Sequence, residues 1–370
     1  MSTVKIIYLG RRGGGSNYTL MLTKSLIRSG ASVDLFISRS NEQLDELMDA
    51  GANNYVVTAA HSYFQIITRI GSLFTLCWTL VMQYHPLDER KTPYHFTMFH
   101  LWNVPLMILL KLFSREIIFT VHDYTPHLGD GGWIMKALIR LMVKLSDKLV
   151  VLNEPVAVQI LSANPKVRRD QIVVLPLLSF IEPIGRNRSL PLDGSTITVL
   201  FFGRISKYKG IDIFLDSAIL ALETFPQLKF VIAGSGDMSD YAEKVSVLGS
   251  KLVVINRWIA EEAIPQFFVN ADVCVLPYLD STQSGVMPIA LSMGVPIVIT
   301  PSDGLVNQLP DGVGLVADDF SADAVSSAIV EMISNAAQYE KFSTKAFDFS
   351  RSAERSWEQQ ARALAVFYQE

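Results

Sequence analysis

The chain has 370 residues, 49% of them hydrophobic, with a formal net charge of −4 and two cysteines. That length suits two domains and affords a large core, while Cys77 and Cys274, far apart in apolar runs, exclude a disulfide framework or zinc site and predict buried thiols in a reducing compartment. The N-terminus enters a strand with no signal-peptide pattern, and the longest membrane-span candidate, residues 71–84, falls short of the roughly 20 apolar residues required, so a cytoplasmic location is expected.

The charge is unevenly spread. Residues 1–180 carry 18 Lys and Arg against 13 Asp and Glu, whereas residues 181–370 carry 14 against 23. A basic first half with exposed apolar surface suits peripheral contact with the anionic inner face of a membrane, although such an asymmetry also arises with no partner. No nucleic-acid partner is expected.

Val4 to Leu9 reads as a buried strand. The turn after it, Gly10-Arg11-Arg12-Gly13-Gly14-Gly15-Ser16, opens a helix with Tyr18, Leu20, Met21, Leu22, Leu26 and Ile27 apolar, closed by Gly30; Val33 to Ile37 is the next strand. Glycines in such a β-α-β turn let backbone N–H groups approach an anion or sugar, and the helix start adds partial positive charge. A flexible turn without a ligand has the same sequence. The pattern is not G-x-G-x-x-G, and Ser38-Arg39-Ser40 stands where an acid would end the second strand, which argues against NAD.

Residues 41–100 alternate short apolar runs with helical patterns. Phe64 to Tyr84, with Phe74, Trp78 and one Arg69, is a core helix by default and an interfacial helix as the alternative. Residues 85–92 form a polar loop. Phe96 to His100 ends a strand, Trp102 to Phe113 is a Leu-rich helix, and the buried strand Ile117 to Val121 runs into His122-Asp123-Tyr124-Thr125-Pro126-His127. Polar residues just after a parallel strand lie at the ligand edge of the sheet. His122, beside Asp123, is the best placed of them to bond a sugar hydroxyl, and His100 holds the same edge one unit earlier. Gly131-Gly132 opens a helix, Trp133 to Leu145, with Lys136, Arg140 and Lys144 at every fourth position. That stripe suits lipid headgroups or a lipid-diphosphate acceptor, or plain solvent. Leu149 to Leu152 and Ile172 to Pro176 are the last strands of this half.

Residues 180–196 contain Pro, Gly and charge without periodicity and mark a boundary. The pattern then restarts. Ile197 to Phe202 is a strand, Gly203-Arg204-Ile205-Ser206-Lys207-Tyr208-Lys209-Gly210 follows, and Ile211, Phe214, Leu215, Ala218, Ile219 and Leu222 recur at helical spacing. Arg204 and Lys209 thus sit on a strand-to-helix loop, the edge where open α/β sheets bind ligands. A planar guanidinium and a mobile ammonium suit a diphosphate; an ordinary basic surface loop fits the spacing equally well. Further strands end in Gly234-Ser235-Gly236-Asp237, in Asn256-Arg257-Trp258-Ile259 and in Pro277-Tyr278. Ser281-Thr282-Gln283-Ser284-Gly285-Val286 then leads into an apolar helix, Gly294, and a last strand over Pro296 to Thr300. Two doubly wound α/β halves are expected.

This order of motifs, a strand with Gly-Arg-x-x-x-x-Lys-Gly, then Ala-Gly-x-Gly, Ala-Asp-Val-x-Val-Leu-Pro, and a small-residue helix with Gly-x-Pro-Ile-Val, resembles the retaining glycosyltransferases of family 4. The resemblance covers most of the chain and is strongest over 197–300. It implies the GT-B fold: two Rossmann-like domains facing across a cleft, 1–182 for the acceptor and 193–352 for the nucleotide sugar. The terminal helix, 353–370 with Trp357 and Tyr368, would return to the N-terminal domain. By the same resemblance Arg204 and Lys209, beside Gly203, hold the donor's diphosphate. Gly13, Gly14 and Gly15 face donor phosphate and sugar, and His122 with Asp123 lies at the donor sugar near the reacting carbon. The segment around Arg257 and Trp258 flanks the base.

One departure stands out. The family usually has two glutamates eight positions apart before its Gly-x-Pro motif; Ser281 and Ile289 occupy those places, and Asn307 stands where another glutamate is common. Part of the family resembles Thr-Gln-Ser-Gly-Val here, where Gln283, Ser284 and the N–H groups of Gly285 and Val286 suit a phosphate. An altered donor site is therefore expected. The implied reaction moves a sugar from a nucleoside diphosphate sugar, UDP-sugar favoured, to a hydroxyl of a glycan or lipid-linked acceptor, with retention, in bacterial polysaccharide or glycoconjugate synthesis. Asp-x-Asp is absent from the chain, which fits a reaction with no metal or other cofactor, catalysed by Arg204, Lys209 and His122. The alternatives are a non-catalytic GT-B protein that binds the nucleotide sugar or partners a true transferase, and an epimerase on the same fold.

Overall fold

The computed structural model describes residues 3–11, 13–60, 65, 68–82, 92–125, 132–182, 188–190 and 195–370. Of the segments singled out above, Arg12, Phe64, Tyr84, the loop 85–91, Pro126, His127, Gly131 and much of the 180–196 boundary lie outside the described residues. Clustering of contacts gives two compact units, Met1–Pro176 with Ser356–Glu370, and Leu177–Arg355. Residues 177–182, assigned by sequence to the first domain, group with the second unit, where the Ser179 hydroxyl lies 3.3 Å from that of Ser292.

The first unit is a seven-stranded parallel sheet. Its strands are β1 (Thr3–Tyr8), β2 (Ser32–Ser38), β3 (Asn53–Val57), β4 (Tyr94–Phe96), β5 (Ile117–Val121), β6 (Lys148–Val151) and β7 (Ile172–Val174), in the order β3-β2-β1-β4-β5-β6-β7. Most strands read as continuous apolar runs because both faces of a parallel sheet are covered. The helix Gly14–Arg28 covers one face, and the helices Ile70–Met82, Asn103–Leu112 and Gly132–Leu145 lie side by side on the other. Phe96, Trp102, Leu106, Phe119 and Met142 fill the core beneath that second layer.

The helix Trp357–Phe367 packs on Gly14–Arg28, so the chain end does return to the first unit, as expected. Tyr18 and Trp357 meet ring to ring at 5.7 Å. At the end of the helix the Tyr368 hydroxyl lies 2.7 Å from Nδ1 of buried His95, whose Nε2 is 2.7 Å from the Thr120 hydroxyl. This ladder explains a correction. The strand expected over Phe96 to His100 lies at Tyr94–Phe96, because a polar residue inside an apolar strand hides it and His95 is satisfied only by partners distant in sequence. β3 was not anticipated either; its side chains are only partly covered.

The second unit is a six-stranded parallel sheet: β8 (Ile197–Phe202), β9 (Leu228–Gly234), β10 (Leu252–Asn256), β11 (Val273–Leu276), β12 (Ile297–Ile299) and the unforeseen β13 (Gly314–Val316), in the order β10-β9-β8-β11-β12-β13. Phe201, Phe214, Phe230 and Ile329 pack one face, and Leu200, Cys274, Met287 and Ile299 the other. Arg188 anchors the entry to this unit by donating to the carbonyls of Met293, Ala271 and Phe268 at 3.0, 2.6 and 2.8 Å. Both cysteines are free; Cys274 is buried and Cys77 half-buried, and burial pushes both thiols up.

Burial pushes the His95 imidazole down to about 3, against about 6.5 in an unfolded chain. The folded state therefore refuses a proton that the unfolded state takes, and stability is lost as pH falls from about 6.5 toward about 3. Chemical denaturation at about pH 7 and about pH 5 is expected to show a loss of stability that is about 2 kcal/mol smaller in the His95→Asn variant. Equal losses in both proteins would show that His95 is not the source.

Candidate functional site

In an open α/β sheet the ligand crevice lies beyond the carboxyl ends of the strands where their order reverses. In the second unit that point is between β8 and β11. The loop 203–210 leaves β8 and the loop 277–285 leaves β11, and the two are locked together by backbone. Gly210 has φ 69°, and a Cβ there would stand 1.7 Å from the Pro277 carbonyl oxygen, so only glycine permits the approach. The Leu279 N–H donates to the Tyr208 carbonyl at 2.8 Å. At the end of β9, Gly234 has φ 154° and lies so close to Gly203 that a Cβ would be 1.7 Å from its carbonyl oxygen. The Arg257 N–H then donates to the Gly234 carbonyl at 2.9 Å. The ends of β10, β9, β8 and β11 are thereby knit into one rim carrying Arg257, Trp258, Gly203, Arg204 and Lys209.

The two cations rest on tyrosine rings. Arg204 is exposed; its Nη2 donates to the Tyr208 hydroxyl at 3.0 Å and its guanidinium lies 5.6 Å from that ring's centroid. Lys209 Nζ stands 3.7 Å over buried Tyr278 and 5.3 Å from Tyr208. Ring faces attract a cation without neutralising it. Lys207 Nζ, on the same loop, lies 3.6 Å from an Asp240 carboxylate oxygen. Burial pushes the Tyr278 phenol up, so it stays neutral, and its hydroxyl lies 3.2 Å from that of Ser284.

The segment 281–286 is braced from below. Gln308 holds the Ser284 backbone at both ends: the Ser284 N–H donates to Oε1 at 2.7 Å and Nε2 donates to the Ser284 carbonyl at 2.9 Å. Ser284 is buried, and its hydroxyl accepts from the Val286 N–H at 3.2 Å. This differs from the arrangement expected by sequence, in which Ser284 and both the Gly285 and Val286 amides serve a phosphate. Ser284 and the Val286 amide brace the loop, and among the described residues the Gly285 amide is the one of the two without a bonded acceptor. Gln283 is half-buried in the same segment. Ser281 bonds Ser302 at 2.7 Å and Ile289 is in the core, so neither position that the family fills with glutamate presents a polar group.

The first unit reverses its strand order between β1 and β4. The helix after β1 starts at Gly14, with Gly13 as its cap at φ 90°; Gly13 is half-buried, Gly14 exposed and Gly15 buried. Asn41 fixes this turn, donating to the Gly10 carbonyl at 3.1 Å and accepting from Ser16 at 3.1 Å. Thr19 bonds the Gly15 carbonyl and lies 2.7 Å from the Thr97 hydroxyl. His122 Nε2 lies 2.9 Å from the Thr97 carbonyl. A carbonyl can only accept, so Nε2 carries the proton and Nδ1 is left as an acceptor. Burial lowers the His122 pKa, with Asp123 and the Thr97 carbonyl opposing, so the ring is neutral near pH 7. Tyr18 meets it edge-on at 5.2 Å. Both nitrogens of His100 face backbone groups, the Ala60 carbonyl and the Trp102 N–H, which gives it a structural role.

Among the described residues, no group of three or more His, Cys, Asp or Glu could hold a metal ion. The structure therefore gathers the predicted residues into two sets. Gly203, Arg204, Lys209, Arg257, Trp258 and Gln283 to Val286 share the rim of the second sheet; Gly13 to Gly15, His122 and Asp123 share that of the first. Sequence reasoning missed Tyr208, Tyr278 and Gln308. The tyrosines sit inside the motifs themselves, where an aromatic beside a cation was a usable signal. Gln308 had none.

A model of a glycosyl transferase 4-like domain matches residues 13–177, and one of the glycosyl transferases group 1 matches residues 196–335. The chain belongs to glycosyltransferase family 4. Among curated relatives, an uncharacterized glycosyltransferase of Methanocaldococcus jannaschii is 29% identical over 43% of this chain and 41% of its own. The GDP-mannose:glycolipid 4-beta-D-mannosyltransferase of Xanthomonas campestris is 24% identical over 60% of this chain and 62% of its own, so less than two thirds of either relative is matched. A D-inositol 3-phosphate glycosyltransferase of Corynebacterium urealyticum is 24% identical over 97% of this chain and 91% of its own. Solved structures share the fold: Anabaena HepE in complex with UDP and glucose has a TM-score of 0.71 at 17% identity, covering 98% of this chain and 100% of that one. A variant of Staphylococcus aureus TarM in complex with UDP has a TM-score of 0.75 at 12% identity, with both chains fully covered. The family 4 chain described here thus has the GT-B fold.

Gly210→Ala forces a Cβ onto a carbonyl at a left-handed position and is expected to destabilise the protein by about 2–4 kcal/mol. Gly14→Ala, where a Cβ meets nothing within 4 Å, is expected to be near neutral. Paired denaturation curves check this; equal stability of the two variants would contradict the locked-loop geometry.

Proposed function

We propose that this protein transfers a sugar from a nucleoside diphosphate sugar to a hydroxyl of a glycan or lipid-linked acceptor, with retention and without a metal ion. The observation that carries the reading is the pair Arg204 and Lys209, held on tyrosine rings at the strand-order reversal of the second sheet. As the bond from the anomeric carbon to the diphosphate breaks, negative charge grows on the leaving oxygens. A guanidinium fork, an ammonium and the Gly285 amide are preorganised to receive it. The acceptor oxygen bonds to the anomeric carbon on the face the diphosphate leaves, and a leaving phosphate oxygen takes the acceptor's proton, so no carboxylate base is needed. His122, neutral with Nδ1 as an acceptor, suits a hydroxyl of the donor sugar, and the Gly13 to Gly15 turn lets backbone approach the donor.

The base is proposed as uracil. The support is the fold likeness to HepE and TarM, both solved with UDP, while the Xanthomonas relative carries GDP-mannose in its name. Burial of Ile289 and the Ser281–Ser302 pair means that a ribose would be bound by other groups than the family's glutamates. Bacterial polysaccharide or glycoconjugate synthesis is the setting this chemistry fits.

A panel of nucleoside diphosphate sugars with chelator present, read as released nucleoside diphosphate and transferred sugar, tests the reading. Turnover is expected with a UDP-sugar, unchanged by chelator, and Arg204→Ala and Lys209→Ala are each expected to lower kcat by about a hundredfold or more. Nuclear magnetic resonance of the product checks retention. A protein that binds UDP but turns over no donor would replace this reading with the non-catalytic partner. Free nucleoside diphosphate with no transferred sugar would favour the epimerase.

A further inference from the structure

The first unit carries a surface that the sugar-transfer chemistry does not use. The helices Ile70–Met82, Asn103–Leu112 and Gly132–Leu145 lie side by side on one face of the sheet. Their inner sides fill the core, yet their outer sides are apolar as well. Phe74 is 69% exposed, Trp78 66%, Leu112 77% and Trp133 79%, with Ile108 and Leu141 also exposed. On the first helix Phe74 and Trp78 are one turn apart; on the last, Trp133 and Leu141 share the outer side with Arg140 and Lys144. An outer helix side usually carries mixed charge, and contiguous exposed apolar surface of this kind marks an interaction site.

The charges decide what kind of partner fits. None of the three helices contains an Asp or Glu. Their basic residues are Lys111, Lys136, Arg140 and Lys144. Lys111 pairs with Asp147 at the edge of the layer, whereas among the described residues no ion pair holds Lys136, Arg140 or Lys144. Exposed tryptophans and phenylalanine beside an acid-free, basic stripe match the interface of an anionic bilayer, where indole rings sit at headgroup depth and cations meet lipid phosphates. A second copy of the chain would set basic residues against basic ones and is disfavoured by the same charges. Among the described residues no helix is long and apolar enough to cross a membrane, so contact would be in the plane of the interface.

We propose that this three-helix face docks the protein on an anionic lipid surface, Phe74, Trp78 and Trp133 entering the interface and Lys136, Arg140 and Lys144 pairing with headgroup phosphates. The inference goes beyond the transferase reading and does not depend on turnover. Co-sedimentation of the full chain with phosphatidylglycerol–phosphatidylcholine vesicles and with phosphatidylcholine vesicles tests it. Binding is expected to the anionic vesicles alone and to weaken with salt. Each cation near such a surface contributes about fivefold, so Lys136→Gln, Arg140→Gln and Lys144→Gln combined should weaken binding about a hundredfold. Trp78→Ser with Trp133→Ser should weaken it without altering its salt dependence. UDP binding and circular dichroism of each variant report whether it is folded. Equal binding to both vesicle types, no binding to either, or folded variants that bind as tightly as the natural chain would each overturn the proposal. So would self-association that the tryptophan substitutions abolish while vesicle binding persists.

Discussion

The candidate donor site depends on one close backbone approach. The loop after β8 and the loop after β11 touch where Gly210 meets the Pro277 carbonyl and Leu279 bonds Tyr208. That contact brings Tyr208 and Tyr278 together, and the two rings in turn set the positions of Arg204 and Lys209. A neutral ring positions a cation without itself neutralising it. Gln308 extends the same logic to the neighbouring segment, fixing Ser284 through its backbone so that the Gly285 amide sits at a defined place.

The first unit is organised by a different device, buried polar groups that pair across elements. His95, Thr120 and Tyr368 join β4, β5 and the chain terminus, while Thr97 joins the glycine-rich helix to His122 through its hydroxyl and carbonyl. Leaving any of these groups unpaired in the interior would cost about 1–3 kcal/mol, so the terminal helix and the glycine-rich turn have little freedom to shift. His122 is consequently presented with its Nε2 proton directed at a backbone carbonyl.

Sequence revealed the architecture wherever a strand was an unbroken apolar run followed by glycine or a polar turn. β1, β5, β8 and β11 and the loops after them were legible for that reason, since local composition and period carry the signal. β4 was misplaced because His95 breaks the apolar run, and its partners lie 25 and 273 positions away. β13 is three residues long, too short for any period to show. The cations were legible from their place after a strand. Tyr208 beside them was a usable signal, but its pairing with the ring of Tyr278 under Lys209 was not legible, because that depends on how two distant loops meet. Ser284 shows the converse limit: its residue type and position suited a phosphate, but burial and the Val286 N–H commit it to the loop.

The central claim is that a nucleoside diphosphate is held by the rim formed from the loops after β8 and β11. Hydrogen–deuterium exchange of the natural chain with and without saturating UDP tests it most directly. The account predicts slowed exchange at the backbone amides of 204–210 and at Gly285. Saturating UDP that leaves both segments unchanged while protecting amides elsewhere in the chain would contradict it.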